Sequence, residues 1–173
     1  ATRLTHPPTR ATIGDMWKLA AIASSCLLLA ACNRQDGALE PGSPDHRVSF
    51  TSASGSGAEL DVWVADSDEE RAQGLMGIEQ LDEDHGMAFV FDEPSTGFFW
   101  MKNTLIPLSI AFVNEQGAIV SVLDMEPCES DSCPSYWSEA PYVLAVEANA
   151  GYFDRRGIGP GDRVRLTERS PDG

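Results

Sequence analysis

From Arg47 onward, apolar and polar positions alternate in short runs separated by glycine, proline and acidic turns, as in strands with one buried face. Residues 47–52 and 58–65 flank Ser54-Gly55-Ser56-Gly57 and predict a hairpin, with Leu60, Val62 and Val64 on one face of its second strand and Asp61 and Trp63 on the other. Ser67-Asp68-Glu69-Glu70 is a capping box: the Ser67 hydroxyl accepts from the Glu70 backbone N–H, and the Glu70 carboxylate accepts from that of Ser67. It predicts a helix to about Leu75, weakened and ended by Gly74 and Gly77. Apolar strands follow at 86–91 and 97–101, separated by the turn Asp92-Glu93-Pro94-Ser95-Thr96. Residues 107–113 place Leu108, Ile110 and Phe112 on one face and pair with 118–125 across Asn114-Glu115-Gln116-Gly117. A strand at 142–147, a short helix at 150–156 capped by Gly157, and a last strand at 162–167 after Pro160-Gly161 complete the pattern. Many short strands with only two short helices predict a mostly β fold, a compact antiparallel β-sandwich or barrel-like single domain.

A different pattern precedes the strands. Met16 and Lys18 lead into an uncharged run, 19–31, that closes on Leu29-Ala30-Ala31-Cys32. A charged start, an apolar stretch shorter than the ~20 residues of a membrane span, and small residues before a cysteine are the marks of a lipoprotein signal. Residues 1–31 are therefore expected to be a signal peptide, with Met16 as an alternative start, and Cys32 to carry diacylglycerol on its thiol. The expected location is the cell envelope, lipid-anchored and facing the periplasm. Asn33 after the cysteine favours the outer membrane. Residues 32–46, rich in glycine, proline and polar side chains, read as a flexible tether, 47–169 as the domain and 170–173 as a tail.

Charge narrows the partners. The chain carries 27 acids against 12 bases, a net charge of −15. Loss of residues 1–31 removes Asp15, Arg3, Arg10 and Lys18, which leaves 26 acids and 9 bases, about −17. Such a balance opposes nucleic acid and adsorption to anionic lipid, so membrane contact falls to the acyl chains on Cys32. Of the four cysteines, Cys26 lies in the signal and Cys32 is the lipidation site. Cys128 and Cys133 remain, and an oxidising compartment favours a disulfide between them. A C-x4-C metal half-site lacks its second half, since His46 and His85 are distant in sequence, and a catalytic dithiol is more often C-x-x-C. No metal and no cofactor are expected.

Gly97 to Leu108 is the densest run of aromatic and polar groups. A strand there puts Phe98, Trp100 and Lys102 on one face and Phe99, Met101 and Asn103 on the other. Lys102 is the lone lysine after Cys32, in a stretch that otherwise uses arginine. Aromatic rings beside one ammonium suit a sugar ring or an anionic ligand, although such stripes more often serve packing. Motifs of hydrolases, zinc proteases, P-loops and dinucleotide folds are missing from the sequence, which leans the reading away from an enzyme.

Four blocks occur in order: Glu70-Arg71-Ala72-Gln73-Gly74-Leu75-Met76-Gly77, Gly86-Met87-Ala88-Phe89, Trp100-Met101-Lys102-Asn103-Thr104 with Pro107-Leu108, and Glu147-Ala148-Asn149-Ala150-Gly151. Together, from about Val62 to Leu166, they resemble the domain of unknown function 192 family of small bacterial and archaeal proteins. The resemblance implies a β-rich single domain, often secreted or lipid-anchored, and no particular activity. Its polar and amphipathic members, Arg71, Trp100, Lys102, Asn103 and Glu147, are the candidate ligand-binding residues. One expected arrangement has Lys102 and Glu147, with Arg71, clustered beside Trp100, either as a structural ion pair pinning helix to sheet or as the lining of a cleft. The function expected is binding of a small polar or carbohydrate-like envelope ligand. The alternatives are a hydrolase or transferase of envelope polymers, and an assembly factor contacting an envelope protein. A cleft joining Lys102 to Glu147 would favour a ligand or a reaction; a flat apolar patch at Trp63 or Phe98 would favour a protein partner.

Overall fold

The computed structural model describes residues 42–52, 55 and 57–170. The signal peptide, Cys32 and most of the tether lie outside them. Nine strands and two helices follow one another: β1 (His46–Thr51), β2 (Gly57–Ala65), α1 (Asp68–Gln73), β3 (His85–Ser95), β4 (Phe98–Trp100), β5 (Leu108–Val113), β6 (Ile119–Met125), β7 (Ser135–Trp137), β8 (Tyr142–Asn149), α2 (Tyr152–Arg155) and β9 (Arg163–Glu168). Seven strands form one sheet in the order β6-β5-β8-β3-β2-β1-β9, and β4 pairs with β7 in a separate ribbon. The sheet curls until its edge strands meet at one end, where the Val164 N–H donates to Gly117 at 2.8 Å and the Ile119 N–H to Asp162 at 2.9 Å. The result is a half-barrel, which satisfies the mostly β, barrel-like expectation.

Antiparallel pairing holds throughout except between β2 and β3, which run parallel with α1 in the crossover. The capping box at Ser67 forms as the sequence predicts, and α1 stops at Gln73, where Gly74 takes φ 48°. Strand β3 runs on to Ser95 through the segment predicted as a turn. A shift in its pairing with β8 between Val90 and Ser95 lets Pro94 sit where no ladder donor is required. β7 was not expected; three residues are too few for a periodic signal.

The two faces of the curled sheet bury different things. The concave face draws on all seven strands, with Val48, Phe50, Leu60, Val62, Ala88, Ala111, Val113, Ile119 and Val146 packed around Tyr152, Phe153 and Ile158, and with Val164 and Leu166 of β9 against them. Here α2 plugs the curl. Gly86 is required on this face: a β-carbon on it would stand 2.2 Å from the Glu147 carbonyl oxygen and 2.6 Å from the Leu60 side chain. The convex face carries a second cluster, Leu75, Phe89, Met101, Leu108, Ile110, Phe112, Met125 and Tyr142, covered by irregular chain that contributes Ile78, Leu81, Ile106 and Cys128.

Candidate functional site

The β4–β7 ribbon lies on that convex cover. Its pairs are Phe98 with Trp137, Phe99 with Tyr136, and Trp100 with Ser135. Paired residues of an antiparallel ribbon point the same way, and so do residues two apart on one strand. Phe99 and Tyr136 therefore face inward. Phe99 meets Phe89, Phe112 and Tyr142 with ring centroids 5.0, 5.6 and 6.2 Å away, and the Tyr136 hydroxyl accepts the Glu126 N–H. Phe98, Trp100 and Trp137 face outward and are 64, 46 and 60 % exposed. The inward rings fix the ribbon, while the outward rings leave much of their surface to solvent.

Lys102 borders this aromatic surface. Its Nζ lies 5.9 Å from the centroid of the Trp100 ring and 3.1 Å from Asp131 Oδ1. Asp131 belongs to the loop closed by the Cys128–Cys133 disulfide. The same loop anchors the backbone around the lysine: the Asn103 N–H donates to the Cys128 carbonyl at 2.8 Å, and Lys102 and Thr104 both bridge to Cys128. The Asn103 carbonyl accepts from the Gly77 N–H at 2.9 Å, so the turn is held between the exit of α1 and the disulfide loop. Asn103 takes φ 57°, the one positive value outside glycine among the described residues. That left-handed geometry, which asparagine tolerates better than most residues, turns the chain from β4 into the cover.

Trp100, Lys102 and Asn103 are thus neighbours, as expected, but Glu147 and Arg71 do not join them in an ionic cluster. The charge partner of Lys102 is Asp131, 29 residues along the chain, and nothing in the sequence singles that acid out. Arg71 is spent within the fold. It donates to the Val90 carbonyl at 2.8 Å, to the Asp66 carbonyl and to Asp68 at 2.6 Å, and its guanidinium lies 5.1 Å from the centre of the Phe91 ring. The arginine clasps α1 to β3.

Glu147 sits in β8 opposite Met87 of β3 and Ile110 of β5, within the convex apolar layer. It is 4 % exposed, with no ion pair or hydrogen bond to its carboxyl among the described residues. Burial in an apolar layer penalises the charged form and pushes this carboxyl up to about 8. Asn149, two residues on, donates its amide to the Leu81 and Asp82 carbonyls at 3.1 and 2.9 Å and pins the covering segment to the sheet.

Elsewhere the surface offers open grooves. One, about 480 Å³, is lined by Arg47, Glu59, Asp61, Asp84 and Arg156. Its guanidiniums are already met by acids, Arg47 at 2.8 Å from Asp61 and Arg156 at 2.8 Å from Asp84. The other, about 330 Å³, lies between Pro44, Trp63, Leu81 and His85. The Trp63 indole N–H there donates to the Gly42 carbonyl, so the end of the tether region borders this groove. No group of three or more metal-binding side chains occurs among the described residues. No helix there is long and apolar enough to cross a membrane.

A curled β-sheet with an aromatic ribbon on its convex cover thus defines a small, mostly β domain. The chain belongs to the DUF192 family, described as an uncharacterised conserved group, whose pattern matches residues 50–166. Its fold is similar to that of a candidate transcription regulator from Sinorhizobium meliloti, with 36 % identity, a TM-score of 0.66, and coverage of 73 % of this chain and 97 % of that one. It is also similar to a protein of unknown function from Novosphingobium aromaticivorans, with 32 % identity, a TM-score of 0.62, and coverage of 69 % and 83 %. No curated protein matches the chain.

Proposed function

We propose that this protein is a binding module whose working surface is the outward face of the β4–β7 ribbon. One observation carries the reading: Phe98, Trp100 and Trp137 are exposed together on one side of a ribbon whose other side, Phe99 and Tyr136, packs against the core. Three large rings exposed together cost solubility and add nothing to the core, so they call for an occupant. Their polar fringe of Lys102, Asp131 and Ser135 suits a ligand with one apolar face and many hydroxyls, a saccharide lying flat. Phe98 and Trp100 stand about 7 Å apart along the strand. That spacing fits an extended glycan better than a compact ligand, which would prefer a concave pocket. The family and the neighbours assign no activity, and the net charge of −15 argues against carrying the S. meliloti description over to DNA binding by this chain.

The same reading places the module in the cell envelope, tethered through a lipid on Cys32 at the end of Leu29-Ala30-Ala31-Cys32. Intact-mass measurement after expression with its native leader tests that part: a diacylglyceryl adduct is expected, lost in Cys32→Ser. The binding reading is tested by titrating chitohexaose and cellohexaose while following tryptophan fluorescence and calorimetric heat. Binding is expected, reduced at least tenfold in Trp100→Ala and in Trp137→Ala. Heats indistinguishable from buffer, or saturation untouched by both substitutions, would remove the ribbon as the site.

A second reading has support of its own. With only two strands, the ribbon leaves the outer edges of both β4 and β7 without strand partners among the described residues, and the exposed Phe98, with no cleft joining Lys102 to Glu147, meets the sequence criterion for a protein partner. Such an edge can take up a strand from an envelope protein. Binding of peptides but no glycan, with the same dependence on Trp137, would favour it.

A further inference from the structure

We infer that the glycan surface is selective for carboxylate-bearing saccharides, and that Asp131 occupies the ligand's anionic position when the surface is empty. The inference rests on the reading of the ribbon as a glycan surface. Lys102 is the only lysine among the described residues, and its ammonium lies over the Trp100 ring, 5.9 Å from its centroid, so it flanks any ring laid against the indole. A saccharide stacked on Trp100 therefore brings its substituents to an ammonium, while acids dominate the rest of the chain. A carboxylate there gains a charge-assisted hydrogen bond that a neutral hydroxyl cannot match.

The present partner of that ammonium is replaceable. Asp131 is 3.1 Å away, its side chain is fully solvated at 101 % exposure, and it projects from a loop outside the strands. Exposed ion pairs contribute little, because water and side-chain entropy offset most of the attraction. A ligand carboxylate held also by stacking has the advantage over an exposed aspartate that makes no other polar contact among the described residues. The Cys128–Cys133 loop and the left-handed Asn103 fix the backbone on either side, so exchange needs only a rotation of the Asp131 side chain. Asp131 then acts as a gate that weak or uncharged anion mimics do not open.

The matched probes are cellohexaose and the same hexamer oxidised at C6 of its non-reducing terminal ring only, so that it carries a single carboxylate and the net charge of −15 repels it least, titrated into the chain by calorimetry in 0.1 M salt. The carboxylated hexamer should bind at least tenfold tighter, and the margin should disappear in 0.5 M salt and in Lys102→Met, which keeps the aliphatic stem beside Trp100. Asp131→Asn should tighten the carboxylated hexamer three- to tenfold and leave cellohexaose unchanged. Glu129→Gln, which removes the same charge from the same loop away from the ammonium, should do neither. Equal affinities, a margin that survives Lys102→Met, or an Asp131→Asn effect matched by Glu129→Gln would each overturn the inference while the glycan surface stands. Failure of both hexamers to bind overturns the surface and the inference together.

Discussion

The two faces of the half-barrel solve the same burial problem with different means. On the concave face, side chains from all seven strands converge on α2, and every large group is aliphatic or aromatic. On the convex face the sheet is covered by loops, a six-residue helix and a ribbon of two three-residue strands. The unpartnered carboxyl of Glu147, the left-handed Asn103, the disulfide loop and the bare aromatic rings all belong to that cover or to the layer beneath it. Regular strands closing on themselves leave no surplus groups. An irregular cover has to be pinned at points, by Asn149, Arg71 and the disulfide, and it is free to present side chains outward. The comparison teaches that regular packing is concentrated inside the curl and exposed aromatic and polar side chains on its cover.

The largest test of that division is the acid in the cover's floor. A carboxyl titrating at about 8 in the folded chain, against its ordinary value of 4.5, keeps a proton that the unfolded chain releases. The stability that this proton brings is complete below pH 4 and is lost as the pH rises from about 4.5 to about 8, with a flat response above. The loss is on the order of 5 kcal/mol. Asp61 and Glu70 act with the opposite sign. Arg47 holds the first and the Ser67 hydroxyl and backbone N–H hold the second below the usual carboxylate range, so their contributions vanish only in acid. Urea denaturation at a series of pH values should show the mid-range decline, and Glu147→Gln should flatten it and raise stability at pH 9. An unchanged slope in the variant would show that the Glu147 carboxyl is solvated in solution.

The concave face is broken most directly at Gly86. An alanine methyl would collide with the backbone of β8 and with Leu60, both in the regular part of the fold, so the strands must separate. Gly86→Ala is expected to cost about 3 kcal/mol, seen as a lowered denaturation midpoint with the two faces still unfolding together. Tolerance of the methyl would show that the β3–β8 ladder yields more than its packing suggests.

How much of this division could be read from the sequence follows its two halves. The concave face was legible because regular strands repeat with period two: Leu60 and Val62 and the hairpin partners of β1, β2, β5 and β6 appear where alternation puts them. The capping box at Ser67 was legible because its contacts span three residues. Within the cover, the outward pair Phe98 and Trp100 was legible for the same reason as any strand face, and the neighbourhood of Trp100, Lys102 and Asn103 follows from their adjacency. Trp137 and Asp131 were not legible, since each reaches the site through a pairing across a long loop, Phe98 to Trp137 and Lys102 to Asp131. The cluster expected of Lys102, Glu147 and Arg71 failed for a related reason. Shared membership of the family blocks says nothing about direction, and the sheet turns Glu147 into the layer between Met87 and Ile110 while Arg71 clasps Val90.

The disulfide offers the next, smaller perturbation, and it acts on the cover alone. Closing a loop this short removes little entropy from the unfolded chain, so Cys128→Ser with Cys133→Ser is expected to cost about 2 kcal/mol. Its effect on the ribbon should exceed its effect on the fold. Cys128 carries the backbone contacts of Lys102, Asn103 and Thr104, and β7 begins two residues after Cys133. Amide exchange should rise across 100–104 and 128–137 while β1, β2 and β9 keep their protection. Uniform acceleration across all strands would show that cover and curl form one cooperative unit.

The smallest expected effect on stability decides the most about function, and it comes from comparing the two sides of the ribbon itself. Phe99→Ala empties a position packed against Phe89, Phe112 and Tyr142 and should cost about 2 kcal/mol. Trp137→Ala removes a larger ring that is 60 % exposed and should change stability by less than about 0.5 kcal/mol. If aromatic residues were placed on this ribbon for packing alone, the larger ring would carry the larger penalty. The opposite order, measured by parallel denaturation of the two variants, is what a surface kept for a ligand requires, because a side chain that the fold does not need is held only by what it touches outside. A penalty for Trp137→Ala equal to that for Phe99→Ala would return the indole to the core and leave the ribbon without a working face.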